Sequence, residues 1–534
     1  MPTSRRSGTR LLCGAAVASS PARESLARSG VLSLGGSAFA ALAALALTAL
    51  VSNSYGPSGT GVFFQGVAVF TVVTQVLKLG TNSAIIRFIA GAPGQADSWR
   101  ITLVAVVPVL LVSGLVAAAI ALGASPLAEL LAPATDADRL AGLLVSLAPF
   151  IIIGSVLGVL QTVARLVRGV GTFTILQSIA LPASRLLVVA AVIAMAGGAD
   201  GAFFGWLAVL APWLVITIAV VAGPLLADRR RARAVPGENP ASARTFWAFS
   251  APRAVGASLE TALDWSDVLV VAALTSPRDA GIYAVVTRAV RAGQVVDRAM
   301  RIAVSPRISH LLAVGDRAAA TSLHTSVARG LILLSWPFYL TLALLGPAVL
   351  ALFGPGFAEG QLALAILAVA MMISSASGML QSVLLQGGRS PWQMYNKAAV
   401  LTLNIGLSLL LVPAVGIAGA AVSWLACLLL DTGLAAWQVH RLMGVRLQPR
   451  ALVPSAVLPL VVFGLGCLGI RMLAGDSLLG LFVGLPVLAL VYLAALRMLG
   501  RRLGFSPALF RRSTPRADQQ PKRAGESSPA RREG

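Results

Sequence analysis

The chain has 534 residues, of which 57% are hydrophobic and 12% are charged. This excludes a water-soluble globule, because several apolar runs reach the ~20 residues that cross the ~30 Å hydrocarbon core of a bilayer. We attribute the formal net charge of +22 to the bias of membrane proteins toward basic cytosolic loops, and not to a nucleic-acid surface.

The N-terminal segment, residues 1–29, combines arginines with the short apolar patch LLCGAAVA. A signal peptide is one interpretation of that pattern. Because the patch is short and a second basic stretch follows it, we predict a cytosolic basic tail.

Hydropathy and helix-breaking residues predict an all-α polytopic membrane protein with about fourteen transmembrane helices. An N-lobe at 30–226 holds the first six spans: 31–51, 62–88, 101–122, 140–164, 172–197 and 202–226. A cytosolic linker at 227–245 precedes a C-lobe at 246–440 with six more: 246–273, 280–306, 328–350, 361–386, 392–412 and 417–438. Two extra spans, 452–473 and 478–498, lie within 450–500, and a basic tail at 505–534 is predicted to be disordered.

The predicted span at 280–306 is too polar to be accepted on hydropathy, yet the loop charges favour it. If the chain crosses the membrane fourteen times, the basic segments all lie on one side of it. They are the N-terminal tail, the linker run DRRRAR, the loop after span 12 and the C-terminal tail. The opposite loops are mostly acidic. Without the eighth span the basic C-terminal tail would lie outside, so we predict that both termini are cytoplasmic.

An internal repeat supports the same count. The segment GPSGTGVF resembles SPRDAGIY, and GADGAFFGW resembles GIAGAAVSW, at offsets of 220 and 218 residues. The aligned residues are Pro57 with Pro277, Gly61 with Gly281, and Trp206 with Trp424. Six spans are an even number, so the two lobes are predicted to be parallel repeats related by an axis along the membrane normal.

The stretch RAVRAGQVVDRAMR places four arginines in the eighth span: Arg288, Arg291, Arg298 and Arg301. On a single helix they fall within an arc of about 140°. An arginine that faces lipid at mid-bilayer costs ~2.5–3.5 kcal/mol on insertion scales. We therefore expect this face to contact protein or water.

The seventh span carries a complementary stripe. Arg253, Glu260, Asp264 and Asp267 fall within about 60° of one another on a helix. Two interpretations follow. In the first, the acids pair with the arginines of the eighth span and only hold the two helices together.

In the second, spans 7 and 8, with Lys78 of span 2 opposite, line an aqueous cavity with surplus positive charge. Guanidinium groups there would bind phosphate or pyrophosphate oxygens. The candidate substrate-binding residues are Arg288, Arg291, Arg298, Arg301, Lys78 and Arg253. The candidates for ion coupling or ion pairing are Glu260, Asp264, Asp267 and Asp297.

The run from Phe249 to Arg288 resembles bacterial polysaccharide flippases of the O-antigen type. The shared features are a phenylalanine–small–proline start ending at Pro252, an aspartate at Asp267, and glycine–hydrophobic–tyrosine at 281–283. In the first half, GPSGTGVF and IIRFIA are similar to the family's opening spans. The resemblance covers roughly residues 30–500.

This resemblance implies the fold of the multidrug/oligosaccharidyl-lipid/polysaccharide exporter superfamily, with two six-helix lobes around a central cavity. It implies a transporter of the inner membrane that flips polyprenyl-pyrophosphate-linked oligosaccharide by alternating access. A lipid II flippase and a cation-coupled multidrug exporter share the fold and remain alternatives. A membrane glycan polymerase or glycosyltransferase is a fourth possibility, but the sequence shows no long outer loop with paired carboxylates, so we predict that the protein is not an enzyme.

No cofactor or metal is expected. The cysteines Cys13, Cys427 and Cys467 have no paired spacing, and no phosphate-binding loop for ATP is present. Coupling to H⁺ or Na⁺ is left open. The expected partners are membrane lipids, the lipid-linked glycan, and a glycan polymerase with its export machinery; nucleic acid is not expected.

Overall fold

The computed structural model describes residues 20–90, 98–131, 137–234, 242–386, 390–445 and 448–499. Within these ranges the chain forms helices and no strand. The first half contains α1 (Ser20–Leu77), α2 (Thr81–Ala90), α3 (Ser98–Leu122), α4 (Ala124–Leu131), α5 (Ala137–Val167), α6 (Val170–Phe173), α7 (Leu181–Ala194), α8 (Ala199–Ala208) and α9 (Leu210–Ala234).

The second half and the appended segment follow in the same way. Their helices are α10 (Ala243–Leu274), α11 (Pro277–Ala292), α12 (Gln294–Val314), α13 (Arg317–Leu344), α14 (Gly346–Ala351), α15 (Gln361–Ala376), α16 (Leu380–Gln386), α17 (Ser390–Val415), α18 (Ile417–Gln438), α19 (Pro449–Pro459), α20 (Gly466–Ala474) and α21 (Leu485–Leu499). Wider π-helical turns join several of them, at Thr174–Ala180, Val439–Met443, Leu460–Leu465 and Gly480–Gly484.

Eleven helical segments of the described chain are long and apolar enough to cross a membrane. The protein is therefore a multi-pass membrane protein, as predicted. One of these segments, Leu32–Leu77, has 46 residues and is about 69 Å long at 1.5 Å per residue, enough for two crossings. It is broken at Gly56, where φ is 63°. Helices α10 and α11–α12 are not among the eleven, because they carry the charges discussed above, so the total of fourteen stays a prediction.

The two halves pack closely at repeat-related residues. A Cβ atom on Gly61 would overlap the carbonyl oxygen of Pro277, and a Cβ atom on Gly281 would overlap the carbonyl oxygen of Pro57. This exchange of equivalent contacts is the geometry that two-fold related units make across their axis. Only glycine fits at either position, since the overlapping atoms belong to rigid backbone.

Further contacts hold the halves together on the same side of the molecule. Asn53, just before the break in α1, donates to the carbonyl oxygen of Leu352 at 3.0 Å. Toward the other side, the hydroxyl of Ser250 in α10 donates to the carbonyl oxygen of Leu79 at 2.7 Å. The part of α1 after Gly56 thus contacts the second half along much of its length.

Several predicted boundaries differ from the structure. The first helix begins at Ser20, inside the segment predicted as a tail. Within the predicted linker, α9 continues to Ala234 and α10 begins at Ala243, and residues 235–241 lie outside the described ranges. Residues 1–19 and the predicted tail at 505–534 lie outside the described residues.

The eighth span is two helices, where the sequence predicted one. Helix α11 ends at Ala292 and α12 begins at Gln294. A Cβ atom on the intervening Gly293 would come within 2.6 Å of the Tyr339 hydroxyl oxygen. The close approach of α13 therefore requires glycine at this break.

The appended helices pack against α13 of the second half. The hydroxyl of Tyr492 donates to the carbonyl oxygen of Leu333 at 2.6 Å, and its ring meets that of Phe463 edge to face, with centroids 5.4 Å apart. These buried contacts dock α19–α21 onto the side of the second half.

Candidate functional site

Arg288 occupies the junction between the two halves. Its guanidinium carbon lies 3.8 Å from the ring centroid of Phe64 in α1 and 4.9 Å from that of Trp265 in α10. One of its nitrogens donates to the carbonyl oxygen of Ala284 at 3.3 Å. Aromatic faces attract a cation most strongly where water is excluded, so the two rings retain the charge without a carboxylate partner.

Arg291 is the one arginine of the predicted stripe that forms an ion pair within the described residues. Its Nη2 lies 3.7 Å from Oδ1 of Asp264 and also donates to the backbone carbonyl of Asp264. This contact joins α11 to α10. It matches the interpretation in which acids of the seventh span hold the eighth.

Asp267 lies at the centre of a buried polar cluster and is 3% exposed. The hydroxyl of Tyr283 approaches its Oδ2 at 3.4 Å, and its buried Oδ1 has no hydrogen-bond partner. Asn404 of α17 lies beside the carboxylate, and its amide oxygen accepts from Ser266 at 3.0 Å. The amide nitrogen of Asn404 is also buried without a partner.

A small hollow adjoins this cluster. The space open to the centre of a water molecule is about 20 Å³, which is room for about one water. Among the groups that line it are Asp267, Tyr283, Arg291, Gln294 and Trp424. A buried carboxylate beside neutral oxygens and a one-water space can hold a proton or a small cation.

The other predicted site residues are spread around this centre. Arg298, Arg301, Arg253, Glu260 and Asp264 are exposed on the protein surface, while Asp297 is half-buried. Arg253 stacks on the ring of Phe249, with its guanidinium carbon 3.5 Å from the centroid. The predicted stripes therefore divide into a buried part around Asp267 and Arg288 and an exposed part that holds the other predicted residues of α10 together with Arg298 and Arg301 of α12.

Lys78 does not face the second half. Its side chain lies against Gly158 of α5, where a Cβ atom would overlap Cε, and its Nζ donates to Gln75 at 3.2 Å. Gly158 thus accommodates a lysine inside the first half. The internal repeat, with its offset of 220 residues, aligns Lys78 with Arg298.

Several residues of the cluster were not predicted. Asn404 lies in an apolar span and carried no motif, while Phe64 and Trp265 were indistinguishable from packing residues. Trp424 did carry a signal, because it aligns with Trp206 in the repeat. Trp206 has its own cation, since the guanidinium carbon of Arg185 lies 3.6 Å above its ring.

In the described residues, no group of three or more His, Cys, Asp and Glu side chains could hold a metal ion. Cys427 and Cys467 are buried free thiols, and Cys13 lies outside the described ranges. The Asp267 cluster offers one carboxylate and neutral oxygens, which suits a monovalent ion or a proton better than a transition metal.

A family described as "Polysaccharide biosynthesis protein" matches residues 26–312, more than half of the chain. The chain belongs to this polysaccharide biosynthesis protein family. The match contains the break in α1, the Asp267 cluster except for Asn404 and Trp424, and all four arginines of the eighth span. No curated protein matches the chain in sequence.

Solved structures share the fold of this polysaccharide biosynthesis protein. The lipid II flippase MurJ in an inward closed conformation superposes with a TM-score of 0.64 at 11% identity, over 89% of this chain and 99% of that one. An inward-facing MATE family multidrug transporter of the MOP superfamily gives 0.59 at 14% identity, over 78% and 98%. A mutant of the Vibrio cholerae MATE transporter VcmN gives 0.54 at 16% identity, over 79% and 97%. At these identities the likeness establishes the fold alone.

Proposed function

We propose that this protein flips polyprenyl-pyrophosphate-linked oligosaccharide from the inner to the outer leaflet of the plasma (inner) membrane. The observation that carries the proposal is the unpaired cation at the junction of the halves, Arg288 between Phe64 and Trp265. Together with Arg298 and Arg301 it gives the eighth span a surplus of positive charge. Pyrophosphate is the dianionic part of such a lipid, and guanidinium forks bind its oxygens well.

The transport cycle would be alternating access. The halves meet through glycine contacts near Gly61 and Gly281 on one side and through Ser250 and Leu79 toward the other. Rocking one half against the other would open these contacts in turn, with Arg288 at the pivot. The family membership and the shared fold support a transporter, not an enzyme.

Energy for the cycle would come from an ion gradient. Asp267, with Asn404 and the adjoining hollow, is the proposed site for H⁺ or Na⁺. The basic loops favour an orientation with both termini in the cytoplasm, so the cargo would enter from the leaflet where glycosyltransferases assemble it. A glycan polymerase and export machinery would act on the flipped product.

Reconstituted vesicles test the proposal directly. A polyprenyl pyrophosphate oligosaccharide with a fluorescent sugar is placed in both leaflets, and flipping is measured as the fraction that becomes accessible to an external quencher. We expect the protein to accelerate flipping, and we expect Arg288→Gln and the double variant Arg291→Ala/Arg298→Ala each to abolish it. The matched control is Arg230→Ala, an exposed arginine of α9 outside the stripe, which should leave flipping unchanged.

Membrane insertion and melting temperature of each variant separate a folding defect from a transport defect. A double variant that folds normally and flips at the original rate would remove both arginines from the site. Arg291→Lys, which keeps the charge near Asp264, should restore part of the activity if charge and not packing is required.

Two alternative functions are tested in the same vesicles. Lipid II replaces the oligosaccharide lipid for the first alternative, and a cationic dye replaces it for the multidrug alternative. The unpaired arginines favour an anionic cargo over a cationic drug, because like charges in a site of low dielectric repel strongly.

A further inference from the structure

A polar cleft of about 510 Å³ lies away from the arginine stripe, between the first turns of α13 on one side and Gly444 and Gln448 on the other. Its volume is that of a site for a small organic ligand. The groups that line it include Arg317, Arg329, Ser322, Thr325, Ser326 and Gln448. By the loop charges, this is the cytosolic side of the protein.

Both arginines of the cleft lack a carboxylate within 4 Å among the described residues. Nε of Arg329 donates to the carbonyl oxygen of Ala451 at 2.8 Å, so this side chain is fixed and its two Nη groups are left for a ligand. The side chain of Arg317 lies along Gly444. The carboxylate of Asp316 accepts from the backbone N–H of Ala319 at 2.9 Å and caps α13. The described residues that line the cleft include two arginines and no acid, so the lining carries a net positive charge.

The hydroxyl groups complete a surface suited to oxyanions. Thr325 and Ser326 donate to the carbonyl oxygens of Thr321 and Ser322, each at 2.9 Å. Hydroxyl hydrogens rotate readily, so these groups can turn and donate to a ligand. The positive end of the 28-residue helix α13 adds to the local potential.

The cleft also bridges two parts of the fold. One wall is α13 of the second half, and the other precedes α19, the first appended helix. Arg329 already joins the walls through Ala451. A ligand held by both arginines would therefore strengthen the docking of α19–α21 on α13.

We propose that this cleft binds a phosphoryl group, supplied by a membrane phospholipid headgroup or by a soluble phosphate. Such a ligand requires hydrogen-bond donors and positive charge near the edge of the bilayer. The cleft offers two guanidinium groups without counter-ions and several hydroxyls at that position. The site is independent of the proposed flippase activity, because it lies elsewhere and its ligand is not the cargo.

Native mass spectrometry and thermal unfolding of the full chain in neutral detergent test this site. The three probes are phosphatidylglycerol, a galactolipid of the same chain length without phosphate, and inorganic phosphate. We expect one phosphoryl probe to be retained and to raise the melting temperature, while the galactolipid does neither. Charge-assisted hydrogen bonds are stronger than neutral ones, so Arg317→Gln/Arg329→Gln should weaken binding about tenfold or more.

Competition between phosphatidylglycerol and inorganic phosphate identifies the source of the phosphoryl group. Phosphatidylglycerol binding that millimolar phosphate does not displace assigns the site to a lipid headgroup; stabilisation by phosphate alone assigns it to a soluble ligand. The single variant Arg317→Gln leaves the Arg329–Ala451 contact intact, so it tests binding in a protein that keeps this structural contact. Arg230→Gln is the matched control. Equal binding of phosphoryl probes to the native protein and to Arg317→Gln would overturn the proposal, as would equal retention of the galactolipid.

Discussion

Arg288 shows how one charged side chain can lie within an apolar junction. A guanidinium group is planar and weakly hydrated, so it stacks on aromatic rings at less cost than an ammonium group. Its ring partners come from both halves, Phe64 from the first and Trp265 from the second. Any motion that separates the halves must move at least one ring away from the charge.

A double-mutant cycle on Arg288 and Phe64 measures this contact. We expect Arg288→Gln and Phe64→Leu each to lower the unfolding free energy in mixed micelles, with a coupling of about 0.5–2 kcal/mol, the range for cation–π pairs. Arg288→Lys should keep part of the coupling. Strict additivity of the two changes would mean that the ring does not stabilise the charge.

Asp267 is tested by its amide isostere. Asp267→Asn keeps the shape of the side chain and removes its negative charge, so the fold should remain intact. If this carboxylate binds the coupling ion, flipping in the variant should no longer respond to an imposed proton or sodium gradient. The measurement is the flipping rate with and without each gradient.

The Asp267 result has a control in Glu129→Gln, an exposed acid of α4 outside the site. Gradient-driven flipping at the native rate in Asp267→Asn would argue against both a coupling role and a required ion pair at this position.

At the scale of helices, the closest contact is between α1 and α11. Gly281→Ala would place a methyl group against the carbonyl oxygen of Pro57, and backbone atoms cannot move aside as a side chain can. Overpacking of this kind costs about 1–3 kcal/mol. We therefore expect a lower melting temperature and reduced flipping.

Gly406→Ala is the control for this prediction, because a Cβ atom there would meet nothing within 4 Å. If Gly281→Ala is as stable and active as Gly406→Ala, the halves do not depend on this glycine contact.

A bidentate ion pair links the start of α11 to the loop before α15. Nη1 and Nη2 of Arg278 donate to Glu359 at 2.6 and 2.7 Å. Those hydrogen bonds hold the pKa of Glu359 below its ordinary value of 4.5. A carboxyl whose pKa is lowered by folding stabilises the fold above its unfolded pKa, and this contribution is lost as the pH falls through the lowered value.

Glu359→Gln should therefore lower the melting temperature at pH 7, and the difference from the native protein should shrink toward pH 3. The decrease should be small, about 1–2 °C, because both side chains are exposed. Thermal unfolding in detergent across this pH range measures it. Glu129→Gln, an exposed acid of α4, serves as control, and a difference independent of pH would exclude the ion pair as its cause.

At the scale of the whole molecule, the two halves keep matching positions but carry different chemistry. Trp206 and Trp424 align in the repeat; the first has Arg185 on its ring, and the second lines the hollow beside Asp267 and Arg291. The first half thus buries a cation where the second buries an acid.

Hydropathy predicted the ends of most helices within a few residues. It failed where part of a helix is polar because that part lines a polar cleft. Helix α13 begins at Arg317, eleven residues before the predicted span at 328–350. Its first turns line the cleft with hydroxyls and arginines instead of meeting lipid. Of the four arginines of the eighth span, Arg291 is the one with a carboxylate partner among the described residues, so which of the two interpretations holds for the other three stays a prediction.

The sequence by itself determined the class of the protein. A bilayer accepts only backbones whose hydrogen bonds are satisfied internally, so long apolar runs must become helices whatever their neighbours are. The repeat offset predicted that Gly61 and Gly281 are equivalent. Neither argument depends on which helices touch.

Tertiary structure decided where the charges point. The neighbours of the charged groups are residues far apart from them in the chain. Arg288 contacts Phe64 and Trp265, Asp267 lies beside Asn404, and Lys78 lies against Gly158. Periodicity places a side chain on a face of its own helix, but the neighbour on that face is fixed only when the helices pack. The ionised groups were therefore predictable as a set, and their partners were not.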